Sequence, residues 1–199
     1  MTGTYESNPM PHVVSVRCPS CAAHARFEFA EVARISRKSD VPFFQKSRLF
    51  DYQLFEGRWH GQAWHGAIFY AGLHGTGTRV LRNLPEGYAP SDWDHSRYLV
   101  RGHGTDRGAL VCHACGLRRR HVLQWPAEAW FQIEYRRQVL WAFDRSSAIA
   151  LLDHIRSADR RKRRQGPWSS MLLHVPGAFL EASARELIVK RLERVLRDG

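Results

Sequence analysis

Short runs of alternating apolar and polar residues fill most of the chain, and a helical period takes over near its end. Val13-Val14-Ser15-Val16, Arg26-Phe27-Glu28-Phe29, Ala109-Leu110-Val111 and Arg120-His121-Val122-Leu123-Gln124-Trp125 predict strands, because a period of two places successive side chains on opposite faces of a pleat. Between residues 40 and 108, Arg48 to Phe55 and Ala67-Ile68-Phe69-Tyr70 predict strands of an antiparallel β lobe, punctuated by Gly57, Gly61, Gly66, Gly72, Gly75 and Gly77. Trp130 to Tyr135 and Gln138 to Phe143 predict two more strands joined around Arg136-Arg137, and with His121 to Trp125 they predict a three-stranded meander. A helix is expected from Ser146 or Ser147, with Ala148, Leu151, Leu152 and Ile155 on one face. A final helix is expected from the capping box Ser183-Ala184-Arg185-Glu186, with Ala184, Leu187, Ile188, Leu192 and Val195 facing inward. These elements make the fold class α+β.

The four cysteines change this picture most, because all of them fall in two C-x-x-C pairs, Cys18-Pro19-Ser20-Cys21 and Cys112-His113-Ala114-Cys115-Gly116. A C-x-x-C turn presents two thiolates to one ion, and two such turns supply the four soft ligands of a tetrahedral zinc site. Pro19 stiffens the first turn, and Gly116 permits a positive φ just past the second. Each pair follows one predicted strand and precedes another, so the metal is expected at the tips of two hairpins. Four thiolates fill the shell, which points to one closed structural Zn2+ rather than a catalytic ion with an open position. A thioredoxin-like redox motif leaves the second pair unexplained, and disulfides fit a chain without a recognisable secretory signal poorly.

In these motifs the chain resembles a zinc ribbon, whose knuckles read C-P-x-C and C-x-x-C-G. It departs from the usual ribbon in the 90 residues that separate its knuckles. The resemblance implies that residues 1–39 and 109–143 hold the two halves of a zinc-ribbon β-sheet, the second continuing into the meander; the patterning adds an inserted antiparallel β lobe over 40–108 and a region of two C-terminal helices over 144–199. Such an insert is thermodynamically tolerable: loop-closure entropy costs only about 0.6 kcal/mol per doubling of length, against about 10 kcal/mol or more from structural zinc.

Composition and charge then narrow the function. A hydrophobic share of 44% and a charged share of 25% are those of a folded globular chain. No run approaches the ~20 apolar residues of a membrane span, so no membrane association is expected and a reducing cytoplasm is the expected compartment. The net charge of +11 is concentrated in residues 101–199, which balance at +9. An anionic partner is implied, nucleic acid first. The candidate phosphate contacts are Arg118, Arg119 and Arg120, which follow the second knuckle, and the cluster Arg160, Arg161, Lys162, Arg163 and Arg164. Trp125 and Trp130 could stack unpaired bases or belong to the core.

Two other functions stay open. Zinc ribbons also dock on larger protein assemblies, with the β lobe then serving as the recognition surface. An enzyme could use His60, His65 and His74, since imidazole suits metal binding and proton transfer. Trp59-His60-Gly61 is echoed as Trp64-His65-Gly66, and on one strand a spacing of five puts the two histidines on opposite faces. No G-x-x-x-x-G-K-[ST] loop is present, so nucleotide hydrolysis has no support. The stretch from Leu140-Trp141-Ala142-Phe143-Asp144 through Leu152, Ile155, Leu173, Val175-Pro176 and Arg185 to Leu192 resembles small bacterial zinc-ribbon proteins labelled by likeness to a replication-restart helicase. Without a nucleotide loop, that resemblance does not imply helicase activity.

Overall fold

Alternation along the strands is realised with shifted limits in a computed structural model that describes residues 10–56, 63–75, 77–93, 106–157 and 166–198. The architecture is mixed α and β. β1 (Val13–Arg17), β2 (His24–Phe29), β6 (Arg107–Val111) and β7 (Arg118–Val122) form a four-stranded sheet in the order β1-β2-β6-β7. β3 (Glu31–Arg34), β4 (Phe50–Phe55) and β5 (Trp64–Phe69) form a three-stranded antiparallel sheet with β5 in the middle. β8 (Phe131–Tyr135) and β9 (Gln138–Ala142) form a hairpin. The chain divides into two compact units, Phe27–Gln124 and Met1–Arg26 with Trp125–Gly199.

In the unit Phe27–Gln124, the inserted lobe is built on the β3-β5-β4 sheet, in the register Val32↔Ile68, Ala33↔Ala67 and Phe55↔Trp64. β3 lies before residue 40, so the lobe draws a strand from upstream of the insert. Clusters of buried residues lie on both faces of this sheet, while Leu54 on β4 stays exposed. One face packs Ala33, Phe50, Ala67 and Phe69 with Phe44, from α1 (Val41–Lys46), and with Trp93; the other packs Val32, Phe55, Trp64 and Ile68 with Tyr70 and Ala109. Trp93 is fully buried, and its indole N–H donates to the Ala67 carbonyl at 2.8 Å, so its one polar atom is satisfied inside the core. A short helix, α2 (Ala71–His74), follows β5 and ends at Gly75, whose φ of 73° suits a glycine.

The expected three-stranded meander does not form. β7 pairs with β6, and β8 and β9 pair only with each other. The physical reason lies in the linking residues 126–130, whose backbone groups are spent on β1. The Arg17 N–H donates to the Glu128 carbonyl at 2.8 Å, the Trp130 N–H to the Ser15 carbonyl at 3.1 Å, and the Ser15 N–H to the Phe143 carbonyl at 2.7 Å. Those bonds close the outer edge of β1.

α3 (Arg145–Arg156) starts slightly earlier than the serines suggested. Asp144 is its N-cap, accepting from the Ser147 N–H at 2.7 Å, while the Ser147 hydroxyl accepts from the Asp144 N–H at 2.9 Å. This reciprocal pair satisfies two donors that a bare helix start would leave open. Ala148, Leu151, Leu152 and Ile155 are buried as the spacing predicts. α4 (Ser169–Leu173) is a short connector, and α5 (Ala182–Asp198) closes the chain. α5 does not begin with a cap at Ser183, because the N–H groups of Ala184 and Arg185 bond the Glu181 carbonyl. Its inward row is Ala184, Ile188, Leu192 and Leu196, spaced by four, while Leu187 is 43% exposed.

Candidate metal centre

The two C-x-x-C segments fold alike because each makes the same backbone turn. In the first, the Cys18 N–H donates to the Ala23 carbonyl at 2.8 Å; in the second, the Cys112 N–H donates to the Leu117 carbonyl at 2.8 Å. Four residues past the first cysteine of each pair the chain takes a positive φ, 60° at Ala22 and 74° at Gly116. Gly116 adopts this without strain, whereas Ala22 carries a Cβ in the left-handed region and pays for the same geometry. The sequence marked Gly116 for this role but held no signal for Ala22. The Ser20 N–H points at the Cys18 sulfur at 3.4 Å, the kind of backbone donor that supports a metal-bound thiolate.

β2 leaves the first pair and β6 arrives at the second, and as neighbours in one sheet they deliver both pairs to the same place. The four Sγ atoms of Cys18, Cys21, Cys112 and Cys115 lie within 4.8 Å of one another. Cys18 and Cys112 are buried, Cys21 and Cys115 exposed, and none is in a disulfide. Tetrahedral ligands with metal–sulfur bonds of about 2.3 Å stand about 3.8 Å apart, so the cluster has the dimensions to hold one metal ion in a shell of four thiolates.

The arginines after the second knuckle do not act as a set. β7 pairs with β6 in the register Val111↔Arg118, Leu110↔Arg119 and Ala109↔Arg120. Arg118 and Arg120 therefore share a face and Arg119 takes the other. The Arg118 guanidinium donates to the carbonyls of Leu73, at 2.9 Å, and Gly72, at 3.4 Å. Arg120 forms an ion pair with Asp51 and lies 5.0 Å from the centre of the Tyr70 ring. Both side chains thus tie β7 to the lobe, while Arg119 stays exposed with no partner among the described residues. The cluster Arg160, Arg161, Lys162, Arg163 and Arg164 lies outside the described residues, as does His60.

Asp51 also accepts the Tyr70 hydroxyl at 2.9 Å. Burial, with the Asp51 charge and this hydrogen bond behind it, pushes the Tyr70 pKa up to about 12. The folded state thus keeps the phenol neutral while the unfolded chain ionises it near 10, so this contribution to stability is whole below pH 10 and is lost as pH rises toward 12. Tyr70→Phe is expected to flatten the fall in thermal midpoint between pH 10 and 12; an unchanged slope would count against a buried, neutral Tyr70 phenol. Nothing in the sequence pointed to this Asp51–Tyr70–Arg120 network, whose members are distant along the chain.

The histidines have separate structural partners. His65 Nδ1 is 2.7 Å from the Tyr52 hydroxyl, and the two rings stack. His74 stacks on Phe69 with ring centres 5.2 Å apart, and burial followed by the charges of Arg120 and Arg118 holds its pKa below the usual value. Neither belongs to a group of three or more ligand-bearing side chains among the described residues. No helix among those residues is long and apolar enough to cross a membrane. Compared with known protein families, curated proteins and solved structures, the chain matches none of them.

Proposed function

We propose that the protein is a non-catalytic zinc-binding protein whose partner is nucleic acid. The observation that carries the metal reading is the convergence of four cysteine sulfurs within 4.8 Å. An all-sulfur set of four selects a soft or borderline ion of tetrahedral habit, and zinc is the redox-inert choice for a reducing cytoplasm. With four protein ligands no position is left for water or substrate, so the ion would hold the two knuckles together rather than perform chemistry. The matching knuckle turns are what a zinc-ribbon resemblance leads one to expect. Native mass spectrometry of reduced protein should find one zinc per chain; metal-free protein in that experiment would end the reading.

The nucleic-acid reading rests on the net charge of +11 and the pI near 10.2. Engagement of Arg118 and Arg120 within the lobe shifts its weight to Arg119 and to the cluster Arg160 to Arg164. Filter binding of a mixed-sequence DNA duplex at several salt concentrations tests it. Each phosphate contact adds about 0.9 to the log–log salt slope, so several contacts give a steep fall in affinity as salt rises. Affinity that is absent, or that barely changes with salt, would sink this part of the proposal.

A further inference from the structure

The β8–β9 hairpin turns in two residues, since Tyr135 pairs with Gln138 and only Arg136 and Arg137 lie between them. Both have positive φ, 47° and 62°. A two-residue hairpin loop with both central residues left-handed is a type I′ turn, the form best served by Asn-Gly. Arginine in either place sets its Cβ against the backbone, an unfavourable choice made twice in succession.

The fold accounts for one of the two. Arg136 forms an ion pair with Glu181 at 2.9 Å, and its guanidinium lies 5.0 Å from the centre of the Tyr135 ring. These contacts anchor the turn against the residue that leads into α5. Arg137 has no such account. It is exposed, and among the described residues nothing bonds, pairs or stacks with it. Its side chain contributes no packing, its backbone is strained, and glycine would suit the site better. What arginine adds there over glycine is a planar cation carried at the tip of a hairpin. Local rules are most often broken at positions that serve a function, which makes this position a candidate for one.

We propose that the β8–β9 tip is a phosphate-contacting finger, in which Arg137 donates to backbone phosphates of nucleic acid and Arg136, held by Glu181 and Tyr135, positions it. This rests on the nucleic-acid reading above and adds a contact that the sequence clusters do not include. Charge complementarity selects the occupant: a guanidinium presents paired donors that match phosphate oxygens.

The turn supplies a test that misfolding does not confound. Arg137→Gly, alone and combined with Arg136→Asn, relieves the backbone, so the thermal midpoint of the full-length protein should rise by about 2 to 4 °C. Duplex binding should weaken in the same variants. Loss of one phosphate contact lowers the salt slope by about 0.9, which at 0.1 M salt is about an eightfold loss of affinity. Arg137→Lys, which keeps the charge, should recover most of that affinity.

Wild-type protein that binds the duplex steeply with salt, beside an Arg137→Gly variant of equal affinity and slope, would overturn the finger and leave the nucleic-acid reading standing. A midpoint that falls in Arg137→Gly would remove the strain on which the inference stands. If the wild-type protein shows no salt-dependent binding, the nucleic-acid reading fails first and the finger with it.

Discussion

Removal of the metal is expected to cost the protein more than any single substitution. In small finger peptides structural zinc contributes about 10 kcal/mol or more, while a domain of ordinary size is stable by only about 5 to 15 kcal/mol in total. The two knuckles stand 90 residues apart in sequence, yet their sulfurs lie within 4.8 Å of one another. An ion held there would replace a long-range covalent link. Treatment with a strong chelator, or Cys18→Ser or Cys112→Ser, should lower the thermal midpoint by tens of degrees or abolish the cooperative transition, as read by circular dichroism. These two cysteines are the buried members of their pairs, so a serine there also leaves a polar group in a site shaped for sulfur. Re-addition of zinc should restore the chelated protein but not the serine variants. Equal midpoints with and without metal would show that the cluster does not hold the fold together.

The second large effect is expected at Gly108. A Cβ built there would collide with the backbone carbonyl of Glu28 and with the ring of Phe27, both closer than real Cβ atoms come. Neither neighbour can yield cheaply: one is main chain in β2, and the other is a fully buried ring packed edge-on against Phe29. Gly108→Ala should therefore force β2 and β6 apart and destabilise the protein by about 3 kcal/mol or more, the upper range for overpacking. β6 runs directly into Cys112, so the variant should also hold its metal more weakly in competition with a chromogenic chelator. Gly177→Ala is the matched control. Nothing lies within 4 Å of the Cβ it would add and its φ is not left-handed, so it should be neutral or stabilise by up to about 1 kcal/mol. Denaturant titration of the pair checks the contrast; equal midpoints would show that the β2–β6 approach can relax.

Part of the candidate site is legible in the sequence alone. Two C-x-x-C pairs name the candidate ligands because the chemistry is local: the spacing sets the bite, sulfur sets the class of metal they would take, and the flanking alternation sets the strands that carry them. Gly116 was legible for the same reason, as a residue whose backbone freedom a turn requires. Ala22 was not, because alanine gives no local sign that the fold will drive it to a φ of 60°. The inward face of α3 was legible from its spacing. Its start was displaced because Asp144 and Ser147 cap each other, a choice that the neighbouring serines obscured.

The arginines mark where local reading ends. Alternation in β7 separates Arg119 from Arg118 and Arg120, and this follows from the sequence once the strand is recognised. Which face meets the lobe depends on partners far away, Asp51 on β4 and the carbonyls of Gly72 and Leu73, so only the tertiary structure decided that two of the three are engaged internally. Strand partnership was settled at the same level. Residues 128–130 could have led into a meander, but β1 offered them backbone donors and acceptors first. The sequence by itself determined what is set by covalent spacing and period: the paired cysteines, most of the strands and the inward face of α3. The tertiary structure decided what depends on competition among distant groups, namely which strands pair, which charges are matched, and which arginine is left facing solvent on a strained turn.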